Sequence, residues 1–180
     1  VEKHNIKHII TSRLEHHAVL HTVQYLEKLN RVSVSYVDVN ELGIIDLAHL
    51  ESLLKAHPNA LVSLMHGNNE IGNILDLKKV GDLSHAYKAY FHSDTVQTMG
   101  HYPLHLYSLP VDFIAGSAHK FNGPKGIGLL YLKAGSAINP YMHGGAQERN
   151  MRGGTENTAA IVGMAKALEL AYERMETDRI

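Results

Sequence analysis

The sequence predicts an α/β fold: a three-layer arrangement with a mostly parallel, mixed sheet and helices on both faces. Two observations point there. Short apolar runs of strand length alternate along the chain with stretches whose apolar residues recur every three to four positions. One connection is then too short for the rule: between Lys120 and Gly126 there is no room for the dozen or so residues that a parallel crossover needs. The strand after Lys120 is therefore expected to run antiparallel to the one before it, which makes the sheet mixed.

The elements follow in order. Residues 6–11 form a short β-branched run. Residues 18–29 place Val19, Leu20, Val23, Leu26 and Leu29 on one helical face. Residues 31–39 alternate apolar and polar as a strand does. Asp46 is a natural N-cap for a helix over 47–56, and Pro58 stops it. Residues 60–65 are a compact apolar strand leading into a polar loop, 66–72. A helix over 76–87 is marked by Leu77, Val80, Leu83 and Tyr87, and residues 89–93 form a strand that ends at Asp94. Strands over 111–115 and 128–132 follow. The last element is a long helix over 155–176, with Ile161, Met164, Leu168, Ala171 and Met175 on one face.

Composition narrows the function classes. The 180 residues are 44% hydrophobic and 19% charged, enough for one domain with a real core. A formal net charge of -1 gives no basis for nucleic acid or an anionic membrane as partner. No apolar run approaches the roughly 18 residues of a membrane span, and no signal-peptide pattern opens the chain. A cytoplasmic location is expected. With no cysteine, disulfides and thiolate metal sites are excluded within these residues. The 14 histidines are spread without compact ligand spacing, so no metal is expected.

In a parallel α/β sheet, ligands bind beyond the carboxyl ends of the strands. Four strand ends here carry polar groups: residues 12–16, 66–70, 94–97 and 117–120. They would bring together a lysine, Lys120; a carboxylate, Asp94; an imidazole, His16; amide side chains; and a hydroxyl–histidine pair, Ser117 and His119. Pyridoxal 5'-phosphate wants this set. Its aldehyde takes a lysine as a Schiff base, and its ring nitrogen is held protonated by a carboxylate. Its phosphate takes hydroxyls and N–H groups. Simpler readings stand beside this one: Asp94 as a turn or cap residue, His16 as a surface residue, Asn68 and Asn69 as Asx turns, and Gly153-Gly154-Thr155 as a turn with an N-cap. The glycine-rich 123–128 segment lacks the G-K-[ST] ending of a P-loop.

Seven segments carry a resemblance: S-R-L-E-H-H-A-V (12–19), M-H-G-N-N-E-I-G (65–72), H-S-D-T-V-Q (92–97), G-S-A-H-K (116–120), G-P-K-G-I-G (123–128), H-G-G-A-Q-E-R (143–149) and R-G-G-T-E-N (152–157). In this order and spacing they resemble the cysteine desulfurases, pyridoxal-phosphate enzymes of the class V aminotransferase type that serve iron–sulfur-cluster assembly. The resemblance implies the large domain of a fold type I transferase. It implies Lys120 as Schiff-base lysine and proton shuttle, Asp94 at the pyridinium nitrogen, and Gln97 with Asn69 near the ring hydroxyl. It implies His16 stacked on the ring and assisting proton transfer, and Ser117 and His119 at the phosphate. Thr155 would reach the phosphate of a neighbouring subunit, hence a homodimer.

The reaction so implied converts L-cysteine to L-alanine and leaves the sulfur on an enzyme cysteine, for delivery to an acceptor or scaffold protein. The cysteine desulfurases also have an amino-terminal segment with a Gly/Thr phosphate-binding turn and a carboxy-terminal small domain. That domain holds the sulfur-accepting cysteine and a substrate-binding arginine. Neither part is expected among residues 1–180, so the chain reads as a partial pyridoxal-phosphate-binding domain that does not complete the reaction alone. The other readings are a different class V enzyme, a selenocysteine lyase or an aminotransferase, and a non-catalytic domain that keeps the motifs.

Overall fold

Alternation along the strands and the apolar stripes of the helices resolve into three layers in the computed structural model, which describes residues 1–178. In chain order the elements are β1 (His8–Thr11), α1 (His17–Lys28), β2 (Ser33–Tyr36), α2 (Leu47–Ala56), β3 (Leu61–Ser63), α3 (Leu77–Ala86), β4 (Tyr90–Asp94) and β5 (Phe113–Ser117). A 3-10 turn (Ala118–Phe121), β6 (Gly128–Leu132), α4 (Gln147–Asn150) and α5 (Thr158–Arg174) follow. One sheet holds the strands in the order β2-β1-β3-β4-β5-β6. The first five are parallel, and β6 is antiparallel to β5, with Ser117 opposite Gly128. The short link after Lys120 allows nothing else.

Side chains on a strand alternate between faces, so each strand feeds two cores. Ile10, Val62, Phe91 and Ile114 are fully buried on one face, against Leu50 and Leu54 of α2, Val80 of α3 and Met164 and Leu168 of α5. Each such side chain contributes about 1.5–3 kcal/mol of transfer free energy. Ile9, Val34 and Leu61 point the other way and pack under Val19, Val23 and Leu26 of α1. Helices thus cover both faces, as expected for strands that read as apolar on both sides.

Several boundaries differ from the sequence expectation. The strand expected over 31–39 pairs only at Ser33–Tyr36, because β2 lies at the sheet edge with β1 as its one neighbour. Val39 instead bridges to Ile45 across a turn. The strand expected over 111–115 is Phe113–Ser117, since the ladder with β6 extends through Ser117. The long helix starts at Thr158, not 155. Asn157 caps it by accepting the Ala160 N–H at 3.1 Å, so the reading of Thr155 as N-cap is corrected. Asp46 and Asp76 cap α2 and α3 through the Ala48 and Lys79 N–H groups at 2.8 and 3.0 Å.

Gly81 shows how tightly the helical layer sits. A Cβ at this position of α3 would lie 2.1 Å from the Pro110 carbonyl oxygen. Backbone cannot yield as a side chain can. Gly81→Ala is expected to cost about 3 kcal/mol, measurable as a fall in Tm on the order of 10 °C.

Candidate functional site

Each parallel strand delivers a polar group as it leaves the sheet. Beyond β1 the chain runs 12–15 and reaches His16, the N-cap of α1, whose Nδ1 accepts the Ala18 N–H at 3.2 Å. Beyond β3 it enters the 66–72 loop. Asn68 Oδ1 accepts the Glu70 and Ile71 N–H groups at 2.8 and 3.1 Å, an Asx turn that leaves the exposed Asn69 beside the strand ends. β4 ends on Asp94, and its Oδ1 accepts the Val96 N–H at 2.9 Å, turning the chain so that Gln97 comes back to the same edge. β5 ends on Ser117, hydrogen-bonded through Oγ to His119 Nδ1 at 2.9 Å. The 3-10 turn then presents Lys120, and Asn122 closes it in the left-handed region at φ 61°.

These groups line one cavity of about 360 Å³: His16, Asn69, Asp94, Gln97, Ser117, His119 and Lys120, with Ala18, Met65 and Val96 between them. That volume suits a small cofactor. A larger cleft of about 410 Å³ lies beside α5, but Phe121, Ala167, Leu170, Ala171 and Met175 form much of its lining. Thr155 is exposed and does not line the cavity. The simpler readings turn out to be compatible with the site rather than opposed to it. Asp94 does hold a turn, His16 is indeed exposed and in addition caps a helix, and both still face the cavity.

Whether a pyridine ring with a phosphate fits can be asked of the residues themselves. Asp94 is only 7% exposed, and among the described residues no lysine, arginine or histidine pairs with it. A buried carboxylate with one backbone donor is short of a cationic partner, and a protonated ring nitrogen supplies one. Lys120 Nζ, at the exposed rim, makes no hydrogen bond among the described residues, so the amine is free to react. Ser117 and His119 offer a hydroxyl and an imidazole for a phosphate, and His16 a flat ring. The residues fit the group.

One group was missed by the sequence reading. Glu15, next to His16, is 4% exposed. Its Oε1 accepts the Met65 N–H at 2.8 Å, while Oε2 is buried without a hydrogen-bond partner among the described residues. Burial pushes this carboxyl up to about 8, the charge of Asp94 adds to the rise, and the bonds from Met65 and Ser12 oppose it only in part. The signal was present as the glutamate within S-R-L-E-H-H, but nothing local says that it is buried. Burial also draws His66 down to about 4, its Nδ1 bonded to Thr98 Oγ1 at 2.8 Å. His8 falls to about 4 through burial and the neighbouring His57. In His92 burial acts the same way, opposed by Asp94.

These shifts set a pH dependence. A raised carboxyl stabilises the fold fully below its unfolded value and loses that contribution as pH climbs through about 8. Depressed histidines stabilise above their unfolded value of 6.5 and lose it as pH falls toward about 4. Thermal stability is therefore expected to peak between about pH 6 and 7 and to fall on both sides. Glu15→Gln should flatten the alkaline limb, as read from Tm across pH.

Comparison with known proteins now decides the family. The sequence profile of the family described as aminotransferase class-V matches residues 3–180. The chain belongs to the class-V aminotransferases. The cofactor of this family's enzymes is pyridoxal 5'-phosphate, in line with the fit of the cavity. Over 172 residues the chain is 48% identical to a cysteine desulfurase IscS of Dictyoglomus turgidum, covering 96% of this chain and 43% of that protein. Among solved structures, a NifS-like protein superimposes with a TM-score of 0.90 at 41% identity, covering 96% of this chain and 47% of the other. The structure of SspA in complex with cysteine gives 0.85 at 35% identity, covering 91% and 47%. This class-V chain thus spans less than half the length of these three proteins.

Proposed function

We propose that this chain is the cofactor-binding part of a pyridoxal-phosphate-dependent cysteine desulfurase. The observation that carries the reading is that one cavity brings Lys120 and the buried Asp94, which has no ion-pair partner among the described residues, together with His16, Asn69, Gln97, Ser117 and His119. The names of the relatives favour L-cysteine over other amino acids, and one structural neighbour was solved with cysteine.

When bound, pyridoxal phosphate supplies an electron sink for charge that develops at the substrate Cα. Lys120 would hold it through Nζ and could carry a proton to and from the substrate at that atom. Asp94 would keep a proton on the ring nitrogen, while Gln97 and Asn69 would hydrogen-bond the ring hydroxyl. His16 would offer its flat ring to the cofactor ring and assist proton transfer. Ser117 and His119 would bind the phosphate, and Thr155 would serve the phosphate site of a second subunit.

The overall conversion takes L-cysteine to L-alanine and moves its sulfur to a thiol as a persulfide. That thiol comes from outside these residues, since the chain has no cysteine. A sulfur-accepting protein for iron–sulfur-cluster assembly, a homodimer and a cytoplasmic location belong to the same reading. The dimer is supported by Leu42, Ile44, Ile71 and Ile74, which stay exposed on the neighbouring 37–46 and 66–75 loops.

The test is direct. Titrating the purified chain with pyridoxal phosphate is expected to raise a visible Schiff-base band, and L-cysteine should change that band at lower concentration than L-alanine. Absence of any band refutes cofactor binding by this chain. A stronger response to L-selenocysteine than to L-cysteine would favour the lyase instead.

A further inference from the structure

The β1–β3 ladder stops at Thr11 opposite Ser63, but β3 does not stop needing partners there. Its next N–H groups alternate in direction. Those of Leu64 and His66 donate to the β4 side, to the carbonyls of His92 and Asp94 at 3.2 and 2.9 Å. The Met65 N–H points the other way, toward β1, where the strand has already ended. A buried N–H without an acceptor is costly. Glu15 takes the place of the missing strand carbonyl, its Oε1 accepting that N–H at 2.8 Å. A second bridge crosses the same gap, from Asn68 Nδ2 to the Leu14 carbonyl at 2.7 Å.

The two chain segments joined in this way are the ones that carry cavity walls. Glu15 directly precedes His16, and Met65 itself lines the cavity and leads to Asn69. Packing alone does not ask for a carboxyl here, since Oε2 lies buried with no hydrogen-bond partner among the described residues and an apolar side chain would avoid that cost. Kept neutral, Glu15 also adds no negative charge beside Asp94, so that the ring-nitrogen site keeps a single carboxylate.

We propose that Glu15 is a positioning residue of the cavity: by holding the Met65 amide across the gap beyond the β1–β3 ladder, it fixes His16 and Asn69 relative to Asp94 and Lys120. The cofactor half of this inference rests on the function proposed above; the clasp itself does not.

Two substitutions separate the hydrogen bond from mere bulk. Glu15→Gln keeps a neutral acceptor, whereas Glu15→Met fills similar space without one. In the cofactor-free chain, Glu15→Met is expected to speed amide hydrogen exchange at Met65 by about ten-fold or more, and to raise it at Ala18 and Glu70, which report on the His16 and Asn68 caps. Glu15→Gln should leave all three protected. Pyridoxal phosphate affinity, read from the Schiff-base band, should fall by about ten-fold in Glu15→Met and stay within about two-fold in Glu15→Gln. Unchanged exchange in Glu15→Met overturns the inference, as does raised exchange with unchanged affinity, or an equal loss in Glu15→Gln. If the unsubstituted chain takes up no cofactor, the functional reading fails, and exchange at Ala18 and Glu70 alone decides whether Glu15 holds the two walls.

Discussion

Lys120→Ala is expected to abolish covalent capture of pyridoxal phosphate. Borohydride reduction of the loaded chain should fix the cofactor's mass on the peptide that contains Lys120, and the alanine variant should show no such label. The expectation follows from position. Lys120 sits on the 3-10 turn directly beyond β5, exposed at the cavity rim, with Nζ free of hydrogen bonds among the described residues. The same exposure makes the substitution gentle on the fold, with a Tm change on the order of 1–2 °C. Loss of the label with an unchanged Tm assigns the chemistry to this amine. Retention of the full label would move the Schiff base to another lysine and remove the central assignment.

The second large effect belongs to Asp94. Asparagine keeps an oxygen to accept the Val96 N–H, so the turn after β4 survives, but the negative charge is gone. The ring nitrogen would then have no anionic partner at the buried end of the cavity. The rate of solvent exchange at the Cα proton of bound substrate, followed by NMR, is expected to fall by about 10²–10³-fold in Asp94→Asn, comparable to removing one preorganised electrostatic partner. Asp94→Ala should lose the same rate and in addition about 1 kcal/mol of stability through the lost turn bond. An Asp94→Asn variant with full exchange activity would mean that the carboxylate serves the turn alone.

Much of this cavity's lining was legible in the sequence. Lys120, Asp94, His16, Asn69, Gln97, Ser117 and His119 were each placed at a strand end, and a parallel sheet brings strand ends together without further information. Thr155 was named only through resemblance, and it is not among the residues that line the cavity of its own chain. Glu15 was not legible as a buried group, because its burial depends on β3 passing alongside, some fifty residues later in the chain. The shared hydrogen bond of Ser117 and His119 was hidden for a related reason: it needs the strand to run on to Ser117 before the 3-10 turn starts.

The sequence by itself determined the fold class, the antiparallel return of β6 and the cap of α2, because each follows from spacing within a few residues: period, link length, and a carboxylate placed before a helix. Asp76, read as the first residue of its helix, is instead the cap of α3. Only the tertiary structure decided which titratable groups lose their water. Glu15, His66 and His92 are ordinary letters in a string, and their protonation is shifted by neighbours that the fold brings from elsewhere in the chain. Desolvation is a sum over everything within reach in space, and local sequence does not carry that sum.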